Sequence, residues 1–498
     1  MKKTIKNSIL VGLSVLNLGL FSCSDDFLNE VPTESVSDQS ATTTTGNLFL
    51  VINGIHRSLY IRYQDSQGKS GIGSLMIQND VLGEDFVMTS RGNGWFVSAS
   101  AWNDHTNAND SDDLFPYRTY YRIIRNANVV INGAENAEGP DAERNAAVGQ
   151  ALVYRAWAHF QLVQLFGKRY DASSENTQLG VPIRLTADND PLARNTVEEV
   201  YTQIHTDIDE AISLLEGYER PNKSHLDKSV ALGLKARVAL VQQDYTTAAT
   251  YAKMARSGYS LMSRDDYFGN FNDYGNGEWM WGSHIQEDQT DYFGNFGAYV
   301  SRNYSSTNIR TNPKAINNLL YDKIEPTDIR AKLFDPTGEH DSLPPGYEIA
   351  SNFTKYPYTS QKFLAAGTGD SRMDVPYMRA AEMYLIEAEA LSYTNEASAK
   401  QVLLEFASSR DPEYTLSSNS GQALKEEIYI QRRIELWGEG FRFYDLKRLN
   451  QPLDRNGANH VGSVINNVYD VPAGDNRWQW LIPQDALNAN PLLEQNPI

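Results

Sequence analysis

Apolar residues recur every three or four positions along most of this chain, the period of one helix face. The pattern predicts a helix from Tyr117 to Gly133, stopped by the glycine. A longer, Ala-rich stretch from about Ala142 to Gly167 steps Leu152, Ala156, Phe160, Val163 and Phe166 along one face. Thr196-Val197-Glu198-Glu199 has the form of a capping box, a hydroxyl followed three residues later by a glutamate. It opens a helix to about Glu216 with Val200, Ile204, Ile208, Ala211 and Leu215 on its apolar side. Two further helices, Val230–Gln242 and Tyr245–Ser257, are joined only by Gln243-Asp244, and Ala248, Ala249, Ala252 and Ala255 lie on the second. A second pair, Tyr377–Tyr393 and Glu396–Ser408, sets Ala381, Ala388 and Ala390 against Ala397 and Ala399. Small residues let paired helices approach closely, so both read as tetratricopeptide-like hairpins. The fold class expected is mainly α, with irregular spacing between the units.

The start and the middle break this pattern. Met1 to Lys6 is basic, and Ile9 to Phe21 is an apolar run too short to span a bilayer, as in a signal peptide. The single cysteine, Cys23, follows Leu20-Phe21-Ser22, which resembles a bacterial lipoprotein cleavage box with Cys23 as the acylated residue. Residues 1–22 are then a lipoprotein signal peptide and 23–40 a polar, lipidated tether. Residues 41–263 form an N-terminal helical part, 264–372 a loop-rich region and 373–498 a C-terminal helical part, with everything after 40 read as one integrated domain. The middle region is rich in Gly, Asn, Asp, Tyr, Phe and Trp, and an aromatic loop region of this length reads as functional.

A formal charge of −19 argues against nucleic acid and against electrostatic binding to anionic membranes. Membrane attachment should come from lipid alone. One cysteine allows no internal disulfide, so packing must supply the stability. The eight histidines are scattered, with no HExxH, no zinc spacing and no Gly-x-Ser-x-Gly elbow, so no cofactor or catalytic residue is assigned. Asn107, Asn109, Ser111 and Asp113 alternate oxygens but lack the EF-hand glycine and terminal glutamate, and read as a solvated acidic loop. The charged run Arg432, Arg433, Glu435, Glu439, Arg442, Asp445, Lys447, Arg448 has helical spacing and reads as mutual ion pairing.

Aromatic residues are abundant, with 28 Tyr, 18 Phe and 8 Trp, and two segments mix them with polar groups. Rings stack on the flat CH faces of sugars while Asn, Asp, Gln and Arg pair with hydroxyls. From Asn79 to Asp104 the candidates are Asp85, Trp95, Trp102 and Asn103; from Tyr267 to Tyr304 they are Trp279, Trp281, Tyr292 and Phe293. Trp279-Met280-Trp281 should alternate sides as a strand, leaving one of the two tryptophans for ligand.

The chain also carries an ordered series of motifs. Cys23-Ser24-Asp25-Asp26 is followed by Tyr121-x-x-Ile124-x-x-Ala127-Asn128, Arg155-Ala156-Trp157 with Leu165-Phe166-Gly167, and Gly180-Val181-Pro182-Ile183. Pro376-Tyr377-Met378-Arg379, Arg432-Arg433-x-Glu435-Leu436, Glu439-Gly440-x-Arg442-x-x-Asp445 and the closing Gln495-Asn496-Pro497 complete it, with Gln431 standing where an acidic residue is common. The set resembles the SusD/RagB family of outer-membrane nutrient-binding lipoproteins. The resemblance implies a superhelix of about four tetratricopeptide-like units with long aromatic-rich loops on one side. It implies a lipid-anchored, cell-surface protein of Bacteroidetes type that captures oligosaccharide for a SusC-like TonB-dependent transporter and performs no chemistry. A peptide binder on the same scaffold, a glycoside hydrolase and a scaffold that binds only partner proteins are the rival readings.

Overall fold

The computed structural model describes residues 40–498 except 270 and 290. Cys23, the leader and most of the 23–40 tether therefore lie outside the described residues. The longer helices are α1 Thr45–Ser58, α2 Gly71–Val81, α3 Ser111–Gly133, α4 Asp141–Phe166, α5 Val197–Leu214, α6 Lys228–Val241, α7 Tyr245–Ala255, α8 Ala380–Thr394, α9 Glu396–Arg410, α10 Gln422–Glu435 and α11 Arg442–Arg448. The fold is mainly α, as the periodicity predicts.

Local chemistry sets the helix ends. The capping box forms: Glu199 N–H donates to Thr196 Oγ1 at 3.2 Å, and Glu199 Oε2 accepts from Thr196 N–H at 2.8 Å. Asp227 and Asp244 cap α6 and α7, and Asn395 both ends α8 and caps α9. Helix α3 starts at Ser111, before the expected Tyr117, because Asp110 caps it. Pro116 within α3 has no N–H for the Asp112 carbonyl, and Gln78 Nε2 donates to that carbonyl at 3.3 Å instead. Residues Val375–Arg379, part of which the pattern assigns to a helix, form a strand, and α8 starts after them.

The hairpins α6–α7 and α8–α9 form, with Ala248, Ala252, Ala255 and Ala399 fully buried, while Ala397, expected in the second interface, is exposed. Helices α4 and α5 approach so closely that a Cβ on Gly149 would lie 2.7 Å from Leu215 Cγ. One continuous core runs from Leu48 on α1 to Ile482 near the end of the chain, and a smaller one lies between α8, α9 and α10. Strands are few. β1 Phe86–Met88, β3 Lys314–Ile316, β5 Thr359–Ser360 and β4 Phe334–Asp335 make an antiparallel sheet in that order, pairing Phe86 with Ile316. β2 Trp279–Ser283 pairs with β6 Val375–Arg379, and β7 Leu453–Asp454 with β8 Asp470–Val471.

The charged run is largely buried and paired, but apart from Asp445 with Arg432 and Arg448 its partners lie elsewhere in the chain, and Lys447 donates to the Gly167 carbonyl at 2.8 Å instead of pairing with an acid. Arg379 meets Glu435 at 2.9 Å and Glu439 at 2.6 Å, and pairs with Glu278. Arg410 meets Glu278 at 2.7 Å and Glu435 at 3.1 Å; Lys362 meets Glu439 at 2.7 Å; Arg330 meets Asp328 at 2.6 Å. Asp445 sits between Arg432 and Arg448, each at 2.8 Å. Burial would raise Asp445, but the two guanidinia outweigh it and bring it from 3.8 down to about 2. A carboxylate depressed in the fold contributes stability above its unfolded value and loses it as pH falls through the folded one. The urea midpoint is therefore expected to fall between pH about 4 and about 2, with a shallower fall in Asp445→Asn; equal slopes would show that Asp445 is not held down.

Candidate functional site

The first aromatic segment delivers Trp95 on a tight turn. Gly92, Gly94 and Phe96 all have positive φ (+49°, +95°, +62°), which lifts the intervening indole off the surface path of the chain. Trp95 is half-buried. Its ring meets Tyr299 edge-on, centroids 5.4 Å apart at 82°, and Gly68 lies beneath, where a Cβ would be 3.1 Å from Trp95 Cδ1. The Tyr299 hydroxyl donates to the Gln67 carbonyl at 2.7 Å, fixing that support.

The second segment delivers Phe293. Its loop is tied down by an Asp291–Arg62 ion pair and by Asn295 Nδ2, which donates to Ser371 Oγ at 2.9 Å and to the Asp291 carbonyl at 3.1 Å. Gly294 runs against residue 67, where a Cβ would lie 2.6 Å from the Gln67 carbonyl oxygen. The phenyl ring is left 59% exposed. Trp95 and Phe293 line one open cleft of about 320 Å³, shared with Gln67, Asn93, Ser306 and Arg310. Two aromatic surfaces are thus flanked by amides, a hydroxyl and a guanidinium, the mixture that pairs with sugar CH faces and hydroxyls.

The remaining candidates are not brought to this cleft. Tyr292, next to Phe293, is exposed, but its ring is outside the lining, and its carbonyl accepts from Ser371. Asn103 is exposed elsewhere. Trp102 is buried, its Nε1 donating to the Leu82 carbonyl at 3.0 Å and its ring edge-on to Trp478. Trp279 and Trp281 are 0% and 2% exposed, so neither faces a ligand, against the expectation that one would. Two residues apart, the tryptophans of a regular strand would share one face; a bulge between them interrupts the pairing with β6, and every residue of the strand is covered. Asp85 is buried and paired with Arg433 at 2.6 Å, which leaves its carboxylate committed to the fold. Burial would raise it, and the Arg433 and Arg442 charges bring it below the usual carboxylate value. Sequence reasoning passed over Gln67 and the run Ser305–Arg310, which follows the second aromatic segment. The available signal was Ser306, which caps the short helix Thr307–Thr311.

Two family models match in tandem: one described as starch-binding associating with outer membrane, over residues 36–240, and the SusD family over residues 339–498. The chain belongs to the SusD/RagB family. A SusD-like protein of Formosa agariphila is 22% identical over 99% of this chain and 99% of its own length. A SusD-like carbohydrate-binding protein from Bacteroides vulgatus superposes with a TM-score of 0.78 at 25% identity, covering 91% of this chain and 97% of its own. A SusD superfamily protein from Bacteroides thetaiotaomicron gives 0.76 at 24%, covering 92% and 100%. A laminarin-binding SusD-like protein gives 0.67 at 20%, covering 91% and 99%. The SusD fold thus extends over nine-tenths of the chain. No helix among the described residues is long and apolar enough to cross a membrane.

Proposed function

We propose that this SusD-like chain is a non-catalytic, cell-surface lipoprotein that captures oligosaccharide at the Trp95–Phe293 cleft and passes it to a SusC-like TonB-dependent transporter. The observation that carries the reading is the pair of aromatic rings, one braced and one open, on a cleft edged by hydrogen-bonding side chains. Membership of a carbohydrate-binding family supports the ligand class, and the laminarin-binding neighbour puts laminarin among the first ligands to try. Lipid on Cys23 would supply the outer-membrane anchor, in keeping with the outer-membrane association of the matching family model.

The test is affinity electrophoresis of the purified protein against laminarin, starch and a panel of plant and host glycans. One glycan class is expected to retard it. Trp95→Ala should weaken retardation by roughly tenfold, since stacking on an aromatic ring carries about 0.5–1.5 kcal/mol between rings and about 1–3 kcal/mol for a nucleobase, while the circular dichroism spectrum is unchanged. Retention of full binding by both Trp95→Ala and Phe293→Ala would move the site elsewhere. Failure of every glycan, with binding of peptides instead, would overturn the ligand class.

A further inference from the structure

Many buried charges among the described residues are paired with an opposite charge, and others, such as Arg455, Lys447 and Asp80, are held by backbone carbonyls or N–H groups. Glu278, Glu435, Glu439 and Asp328 face Arg330, Arg379, Arg410 and Lys362. Glu84 and Asp85 face Arg433 and Arg442, and Asp445 and Glu389 face Arg432 and Arg448. The start of α3 departs from this. Asp104, Asp110, Asp112 and Asp113 converge there, and among the described residues the cation in contact with them is Lys69, 2.9 Å from Asp112.

Asp104, Asp110 and Asp112 each offer an oxygen within 4.8 Å of the others. The chain reverses through the turn Asp104–Thr106, and Asp110, the N-cap of α3, accepts from the Asp112 N–H at 2.8 Å. Asp104 is 2% exposed; Ser98 hydrogen-bonds its side chain, yet its Oδ1 has no partner among the described residues. Asp113, outside the trio, is 0% exposed, and neither of its carboxylate oxygens has a partner there. Its charged neighbours are Asp110 and Asp104. Three buried carboxylate oxygens thus lack any donor, beside a set that carries four acids against one lysine. The helix N-terminus favours negative charge only by about 0.3–1 kcal/mol, well short of the cost of burying unpaired carboxylates.

We propose that Asp104, Asp110 and Asp112 hold a calcium ion at the start of α3. The donors are all carboxylate oxygens, which select hard cations over zinc or copper. Calcium accepts irregular oxygen sets of six to eight ligands, so water and carbonyls complete the shell, whereas magnesium demands near-ideal octahedral geometry. Asp112, with its side chain 42% exposed, leaves an entry path. The ligand set differs from the alternation Asn107, Asn109, Ser111, Asp113 legible in the sequence, because the turn brings Asp104 back over the helix start.

The experiment uses the purified full chain at neutral pH after chelator treatment. Millimolar calcium is expected to raise the thermal midpoint by a few degrees. Terbium is expected to give luminescence sensitised by Trp102, two residues before Asp104, and calcium should displace it. Asp104→Asn and Asp112→Asn should each weaken calcium by roughly tenfold or more and abolish the terbium signal. In chelator, Asp104→Asn should melt at or above the parent, since one unpaired buried charge is gone; this shows that the variant folds. Absence of both a calcium shift and a displaceable terbium signal would overturn the proposal, as would a calcium shift that survives in both variants. A magnesium shift equal to that of calcium would overturn calcium as the occupant.

Discussion

Glu435→Ala is expected to destabilise the protein by about 3–5 kcal/mol, the cost of removing one partner from a buried ion pair. Glu435 receives Arg379 at 2.9 Å and Arg410 at 3.1 Å, with Arg330 at 3.5 Å, and all of these side chains are buried. Burial alone would raise its pKa, but the Arg410, Arg379 and Arg330 charges drive it far below the usual carboxylate value. Without Glu435, three guanidinia share the remaining carboxylates Glu278, Glu439 and Asp328, and Lys362 still requires Glu439. The cost is one of uncompensated charge, so Glu435→Gln, which keeps the shape and an acceptor, should lose less than Glu435→Ala. Urea midpoints and slopes for the two variants check this. An unfolding free energy for Glu435→Ala within about 0.5 kcal/mol of the parent would show that the network is not needed for the fold. These contacts tie β2, β6, α9 and α10 together, so the loss should spread over the C-terminal hairpins.

Trp281→Ala is expected to cost a similar amount, about 3–5 kcal/mol, as a large aromatic deleted from a packed core. The ring is edge-on to Trp157 at 5.2 Å and to Tyr154 at 5.9 Å on α4, and tilted against Tyr377 at 5.0 Å on β6. The folded fraction should still bind glycan, which is the reverse of Trp95→Ala, where folding stays and binding goes. Thermal unfolding and affinity electrophoresis on the two variants separate the roles. A Trp281→Ala protein as stable as the parent but unable to bind would put Trp281 at the ligand after all.

Asp85 shows the same division in polar form. Adjacent acids beside aromatics look like sugar-binding groups, yet Glu84 and Asp85 face Arg433 and Arg442 from almost the other end of the chain. Pairing across more than 340 residues leaves no mark near either partner in sequence. Phe293 is left exposed, and Trp95 is half-buried with its ring braced by Tyr299.

The helices, their caps and the small-residue hairpins were legible without coordinates because each depends on neighbours within a few residues: Thr196 on Glu199, Asn395 on Ser398, Ala252 on the 3.6-residue period. The family followed from ordered motifs, several of which, among the described residues, proved to be core positions or buried ion pairs such as Arg155 with Asp207 and Arg379 with Glu435. Which aromatic rings stay open was decided by tertiary structure alone. Trp279 and Trp281 lie two apart on β2, where a bulge interrupts the pairing with β6, and β2 is covered on both faces, so neither ring is exposed. Trp95 and Phe293, about two hundred positions apart, meet only because Gly294 and the Tyr299–Gln67 hydrogen bond bring their loops together. Periodicity reports how a segment is shaped; burial depends on what the rest of the chain lays over it.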